Sequence, residues 1–346
     1  MIYTLHPSKD ATIYEKDQTR NTGVDQIIEL EKIVDELVAS GTRNSRILMS
    51  FDLSPFNSAF ENLPNVTKMD LRLWSANSRD IANEYIVEFR SMNSDNYDWG
   101  MGTGLLVDSP AITNGANWTT KDGVNAYPSN NIRTLQGSVT KSVNDNTDIL
   151  VDLTTLYAQE RAAGSMNMWI KRPDAEEQSN IELGHLQYFS NETKTIYRPQ
   201  LNLHWDDSSY TLGTQTVITD DNIRLLAAGA KTIYSPGERT KLSIKAIPMN
   251  KLEGYSTGSL ISSNKNLVLP AQSLYKITDV ISGEDVHGYY QGSTKVSCDA
   301  NGSYMNLWTD TLVPNREYSI SIKVKDRGYS GRIEYFNEVH NFRVEG

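Results

Sequence analysis

The chain holds one cysteine, Cys298, in 346 residues. A lone thiol excludes an intramolecular disulfide framework and any zinc site built on cysteine pairs. No run approaches the ~18 consecutive apolar residues that would span a bilayer. Positive charge is also scarce: 33 Lys and Arg stand against 43 Asp and Glu, a formal net charge of -10. Nucleic-acid binding, which needs clustered cations, is therefore not expected. The opening residues MIYTL offer neither a basic nor an apolar stretch, so no signal peptide is expected. The five histidines, His6, His185, His204, His287 and His340, form no H-E-x-x-H or H-x-H pattern. No G-x-S-x-G elbow is present. The run GMGTG at 100–104 lacks the third glycine of a dinucleotide fingerprint and follows no strand-to-helix transition. No catalytic residue, cofactor or metal is therefore expected. NDNTD at 144–148 alternates oxygens like a calcium loop but lacks the glycine and distal glutamate, and reads as a turn.

What is abundant points to β-structure. There are 18 Tyr, 6 Trp and 7 Phe, with Thr, Asn, Ser and 22 Gly recurring throughout. Aromatics and Thr suit a half-buried pleated surface, and Asn, Ser and Gly suit the turns between strands. The expected fold class is all-β, with many short strands. RILMSFDL at 46–53 puts Ile47, Met49 and Phe51 on one face. VTKMDLRLWS at 66–75 does the same with Met69, Leu71 and Leu73. Residues 26–38 fit two templates: an amphipathic helix with Ile27, Leu30, Ile33/Val34 and Leu37 on one face, or strands carrying Ile28 and Leu30. Residues 91–147 read as a long irregular region, a form that often carries a functional surface. DLTTLYAQERAAG at 152–164 predicts a helix, capped by Asp152 or Thr154 and ended by Gly164 in a left-handed conformation. The composition of 206–215, DDSSYTLGTQ, predicts a linker between domains at 1–205 and 216–346.

Several landmarks in order make residues 1–205 resemble the DNRLRE family, non-catalytic sandwiches related to carbohydrate-binding modules. They are HPSKDATIYE with Asp10 as its acid, Asn21-Thr22-Gly23, RILMSFDLS at 46–54, ILVDLTTLYAQERAAG at 149–164 and YFSNETKTIYRPQLNL at 188–203. The resemblance implies a jelly-roll-like β-sandwich. Gly100 stands where the family often has Glu, and a glycine-rich insertion separates Trp99 from Trp118. Residues 216–346 resemble a fibronectin III or Ig-like sandwich through LVPNREYSI at 312–320. In that motif Tyr318 would hydrogen-bond back across a strand corner, and Trp308 would be a core aromatic. The whole is also similar to virion structural proteins of T4-like marine tailed phages.

Two functions follow as expectations. The first is a non-enzymatic virion structural or adaptor protein of tail, baseplate or neck. It would assemble in the host cytoplasm as a homo-oligomer with other virion proteins, without membrane insertion. The second is glycan binding. Sugars stack on aromatic rings while amides and carboxylates bind their hydroxyls, and Tyr97, Trp99 and Trp118 sit among Asn and Asp in the long loop region. Asp95, Asp98, Asp152 and Glu192 are the acids placed for other chemistry, with turn and cap roles as the simpler reading.

Overall fold

The computed structural model of the chain describes residues 1–34, 42–128, 130–218, 223–248, 267–325 and 333–346. The fold is all-β. It divides into two compact units, one of Thr4–Pro64 and Lys68–Leu203, the other of Met1–Tyr3, Asn65–Thr67 and His204–Gly346.

In the N-terminal half the strands are β1 (Ile2–Leu5), β2 (Lys9–Tyr14), β3 (Ile27–Val34), β4 (Thr42–Asp52), β5 (Lys68–Leu73), β6 (Glu84–Met92), β7 (Ile132–Ser142), β8 (Ile149–Asp152), β9 (Ser165–Lys171), β10 (Gly184–Phe189) and β11 (Gln200–His204). One sheet runs β1-β11-β5-β8. The other runs β10-β3-β4-β9-β6-β7, with β2 also paired to β4. The alternation read from the sequence holds. Ile47, Met49 and Phe51 of β4 are sealed, as are Met69, Leu71 and Leu73 of β5. Leu48, on the opposite face of β4, is sealed as well. It packs with Ala11, Ile13, Met92, Trp99, Ala116 and Trp169 in a second apolar cluster that draws in the loop after β6. A strand buried on both faces carries apolar residues on both, which is why apolar Leu48 stands between Ile47 and Met49.

The ambiguous segment is a strand over Ile27–Val34, and 35–38 lie outside the described residues. Partner strands decide it: β10 pairs with β3 from Gly184↔Lys32 to Phe189↔Ile27. The region 91–147 is not wholly irregular, because β7 spans eleven residues of it. The predicted helix forms as α2 (Thr154–Glu160) and a 3-10 turn, and Gly164 ends it at φ 72°. Asp152 Oδ1 accepts from the Thr154 N–H at 2.9 Å. Two further short helices are α1 (Ser54–Ser58) and α3 (Asp174–Glu177).

The C-terminal unit contains β12 (Thr216–Val217), β13 (Ile223–Ala228), β14 (Ile233–Tyr234), β15 (Arg239–Pro248), β16 (Leu267–Val268), β17 (Leu274–Asp279), β18 (Asp285–His287), β19 (Ser297–Asp299), β20 (Gly302–Trp308), β21 (Arg316–Lys325) and β22 (Ile333–Val344). Its main sheets are β13-β15-β20-β19 and β14-β22-β21-β17-β18. Leu242 and Ile244 of the first share a core with Ile277, Ile320 and Ile322 of the second, which is sandwich packing. The Tyr318 hydroxyl donates to the Val313 carbonyl at 2.9 Å, the corner bond expected from the sequence, and Trp308 is 4% exposed. Residues 206–215 are not a free linker. The Cys298 N–H donates to Ser209 at 2.8 Å, Thr211 donates to Cys298 at 3.0 Å, and Gln215 is buried. Their polar side chains gave a linker composition, yet their backbone groups add to a sheet edge.

Candidate functional site

Of the three aromatic residues expected to meet a sugar, Trp99 is 1% exposed. It packs in the apolar cluster over the second sheet, with the Lys9 ammonium 4.6 Å from its ring centroid. A ring so covered offers no face to a ligand, so its expected stacking role is corrected to packing. Tyr97 is half-buried, and its hydroxyl donates to the Glu160 carboxylate. Trp118 is half-buried with the Arg46 guanidinium 4.6 Å from its ring centroid. Both pack against the same cluster as Trp99.

What brings this loop onto the sheet is Asn21, fully buried. Its Nδ2 donates to the carbonyls of Met101 at 2.7 Å and Ala116 at 3.0 Å, and its Oδ1 accepts from the Gly104 N–H at 2.9 Å. Gly102 has φ 76°, and a Cβ there would stand 2.2 Å from Asn21 Oδ1. The glycine run is thus a close approach of backbone to a buried amide. Lys9 Nζ completes the tether, donating to the carbonyls of Tyr97 at 3.2 Å and Trp99 at 2.8 Å.

The acids singled out in the sequence hold backbone and neighbouring side chains. Asp98 pairs with Lys121 at 2.6 Å, and Asp95 follows the Asn93 cap. Within 144–148, Asp145 Oδ2 accepts from the Ser142 N–H at 2.7 Å and Asn146 Oδ1 from the Asp148 N–H at 2.9 Å. Glu192 lies beside Asp10, which is 1% exposed. Burial first, and then the negative Glu192, push the Asp10 carboxyl well above its ordinary range. Asp10 Oδ2 accepts from the Asn191 N–H at 2.8 Å, which opposes that rise. Cys298 is buried, and burial pushes its thiol up, which describes an inert packing residue.

A different place gathers polar groups in a hollow. A concavity of about 330 Å³ is lined by Tyr14 from β2, Asp25, Glu29 from β3, Gln187 from β10 and the loop residues Leu105, Leu106 and Val107. Tyr14 Oη donates to Glu29 Oε1 at 2.8 Å, and Gln187 Nε2 donates to Glu29 Oε2 at 2.7 Å. Asp25 Oδ2 accepts from the Leu106 N–H at 2.9 Å. Burial raises the Asp25 carboxyl to about 6 despite that bond. Val107 at the rim is 84% exposed. A hollow of this size with a few convergent polar groups and an apolar rim suits a small polar ligand.

Next to it on the same face of the sheet, Glu29, Glu31 and His185 place one ligand atom each within 4.8 Å of one another. The strand period makes this possible: Glu29 and Glu31 are two residues apart on β3, and His185 is the cross-strand partner of Glu31. The cluster was not legible in the sequence, because its histidine lies far along the chain and belongs to no motif. The alternation E-L-E at 29–31 was its one local sign, and it appears only once the segment is known to be a strand.

No protein-family model matches the chain, and no curated protein matches it. Among solved structures it is similar to the native conformation of an E. coli alpha-2-macroglobulin, at 10% identity and a TM-score of 0.21, over 95% of this chain and 24% of that one. A Salmonella alpha-2-macroglobulin reacted with methylamine gives 11% identity and a TM-score of 0.20, over 97% and 25%. The chain thus spans about a quarter of the length of either.

Proposed function

We propose that the chain is a non-enzymatic structural and adaptor protein of a tailed-phage particle, in tail, baseplate or neck, acting through repeated protein–protein contacts. The observation that carries this reading is the edge strand β7. It is an eleven-residue strand paired on one side to β6 and ending the sheet order on the other. The opposite edge, β10, is covered by the segment before β6, where Arg79 and His185 exchange backbone bonds at 3.0 and 2.9 Å. Among the described residues no other strand pairs with this edge; a long unpaired edge is a template for a strand of another subunit, and Leu135 on it is 44% exposed. The resemblance to virion proteins read from the sequence suggests the setting, and closed rings built from such contacts would supply the stability.

Immunogold electron microscopy of purified phage particles with antibody to this chain tests the reading. Label at one fixed position is expected, and particles without label overturn it. In sedimentation velocity the full chain should self-associate, and Leu135→Lys with Val139→Lys should lower the assembly state without altering the far-UV spectrum.

The hollow at Glu29 favours a second reading, glycan recognition. Its carboxylates and amide would take sugar hydroxyls while Leu106 and Val107 cover an apolar ring face. On a host-polysaccharide column, Gln187→Ala should abolish retention. Retention unchanged by that substitution argues against this hollow as the glycan site.

A further inference from the structure

We propose that Glu29, Glu31 and His185 form a binding site for a transition-series divalent cation of the zinc type. The site is independent of the assembly reading above. Three ligand atoms within 4.8 Å of one another need only a small side-chain adjustment to reach the ~3.4 Å separation of a tetrahedral shell with bonds of about 2.1 Å. The acids alone would not make the case. His185 does: it is 9% exposed, and its Nδ1 is sealed from solvent with no hydrogen-bond partner. A buried imidazole nitrogen left without a partner costs free energy that a bound ion would remove.

The surroundings match an outer shell. Ligating carboxylates are usually fixed by further hydrogen bonds, and both oxygens of Glu29 are so fixed, by Tyr14 at 2.8 Å and Gln187 at 2.7 Å. Each oxygen keeps a lone pair for an ion. Glu29 and Glu31, two residues apart on β3, bring two carboxyl groups side by side, which repel each other when charged. A cation held between the carboxylates would relieve that repulsion. One imidazole with two carboxylates is a nitrogen–oxygen set. It suits Zn2+, Co2+ or Mn2+ over Ca2+ and Mg2+, which prefer oxygen alone. Three protein ligands leave a fourth position for water.

The test titrates the full chain, stripped with chelator, with Zn2+ by calorimetry. One equivalent per chain is expected. Glu31→Gln and His185→Gln should each remove it, and Tyr14→Phe should weaken it by roughly 10- to 100-fold as an outer-shell change. No saturable binding, or binding unchanged in both ligand variants, overturns the proposal. X-ray absorption of the Zn2+-loaded unmutated chain keeps the question open to decision if a variant fails to fold. A mixed shell with one imidazole supports the site, and a shell of oxygen alone, or with several imidazoles, overturns it.

Discussion

Glu177→Gln is the substitution that most directly tests how the polar interior of the N-terminal unit is held. Glu177 lies on the four-residue helix α3, with its side chain 7% exposed. Its carboxylate accepts from Arg46 Nε at 3.0 Å and Nη2 at 2.7 Å, and pairs with Lys171 at 3.1 Å. Its carbonyl accepts from Lys32 Nζ at 2.6 Å and from Asn44 at 3.3 Å. Three strands, β3, β4 and β9, thus send a cation or amide to one residue. Lys171 has a fully buried side chain, so it cannot turn to water when the anion is lost. Removing one partner of a buried pair costs about 3–5 kcal/mol, because the charge left behind stays desolvated. Lys171 keeps its pair with Asp174, and the Arg46 side chain is 24% exposed, so the lower end applies, about 3 kcal/mol. That is a factor of about 150 in the folding constant. Urea unfolding followed by tryptophan fluorescence reads it as a lower midpoint at unchanged slope for the N-terminal transition. Trp118, stacked on Arg46, reports locally. Replacing the pair together, as Lys171→Met with Glu177→Leu, should recover most of the loss. A loss under ~1 kcal/mol for Glu177→Gln would refute the reasoning and place the two cations on its carboxylate, Arg46 and Lys171, in effective contact with solvent.

Two further outcomes are expected. Tyr318→Phe removes the corner hydrogen bond to Val313 and should cost about 0.5–1.5 kcal/mol in the C-terminal transition alone; an equal loss in the N-terminal transition would contradict a local role. Asp25 carries a folded-state value near 6 against an ordinary 3.8, so the folded state binds more protons in that window. Its contribution to stability therefore falls as pH rises from about 4 to about 6 and is level above. Relative to the natural chain, Asp25→Asn should gain stability across that interval, on the order of 1 kcal/mol after solvent screening; a difference in melting temperature that ignores pH between 4 and 7 would count against it.

The elements most readable in the sequence were those whose period matched one buried face. β4 and β5 alternate apolar residues as strands do, and Tyr318 carries a local motif whose partner lies five residues away. β7 escaped notice because an edge strand with no buried position along its length has no apolar face to display. Residues 27–34 fit helix and strand alike, and pairing with β4 and with β10, the latter some 150 residues later, selects the strand. The same long separation hid the Glu29–Glu31–His185 cluster. Trp99 misled in the other direction. Its neighbours have loop composition, and composition cannot tell a loop in solvent from one drawn onto a sheet by a buried asparagine and a lysine.

That tethered loop has a consequence for how this sequence can change. Asn21 and Lys9 grip its backbone carbonyls and one amide, so the anchorage is indifferent to most side chains beyond it. The tips lie outside the grip: Val107 is 84% exposed and Val124 83%. Substitutions at the side chains of those two valines should leave the anchor as it is.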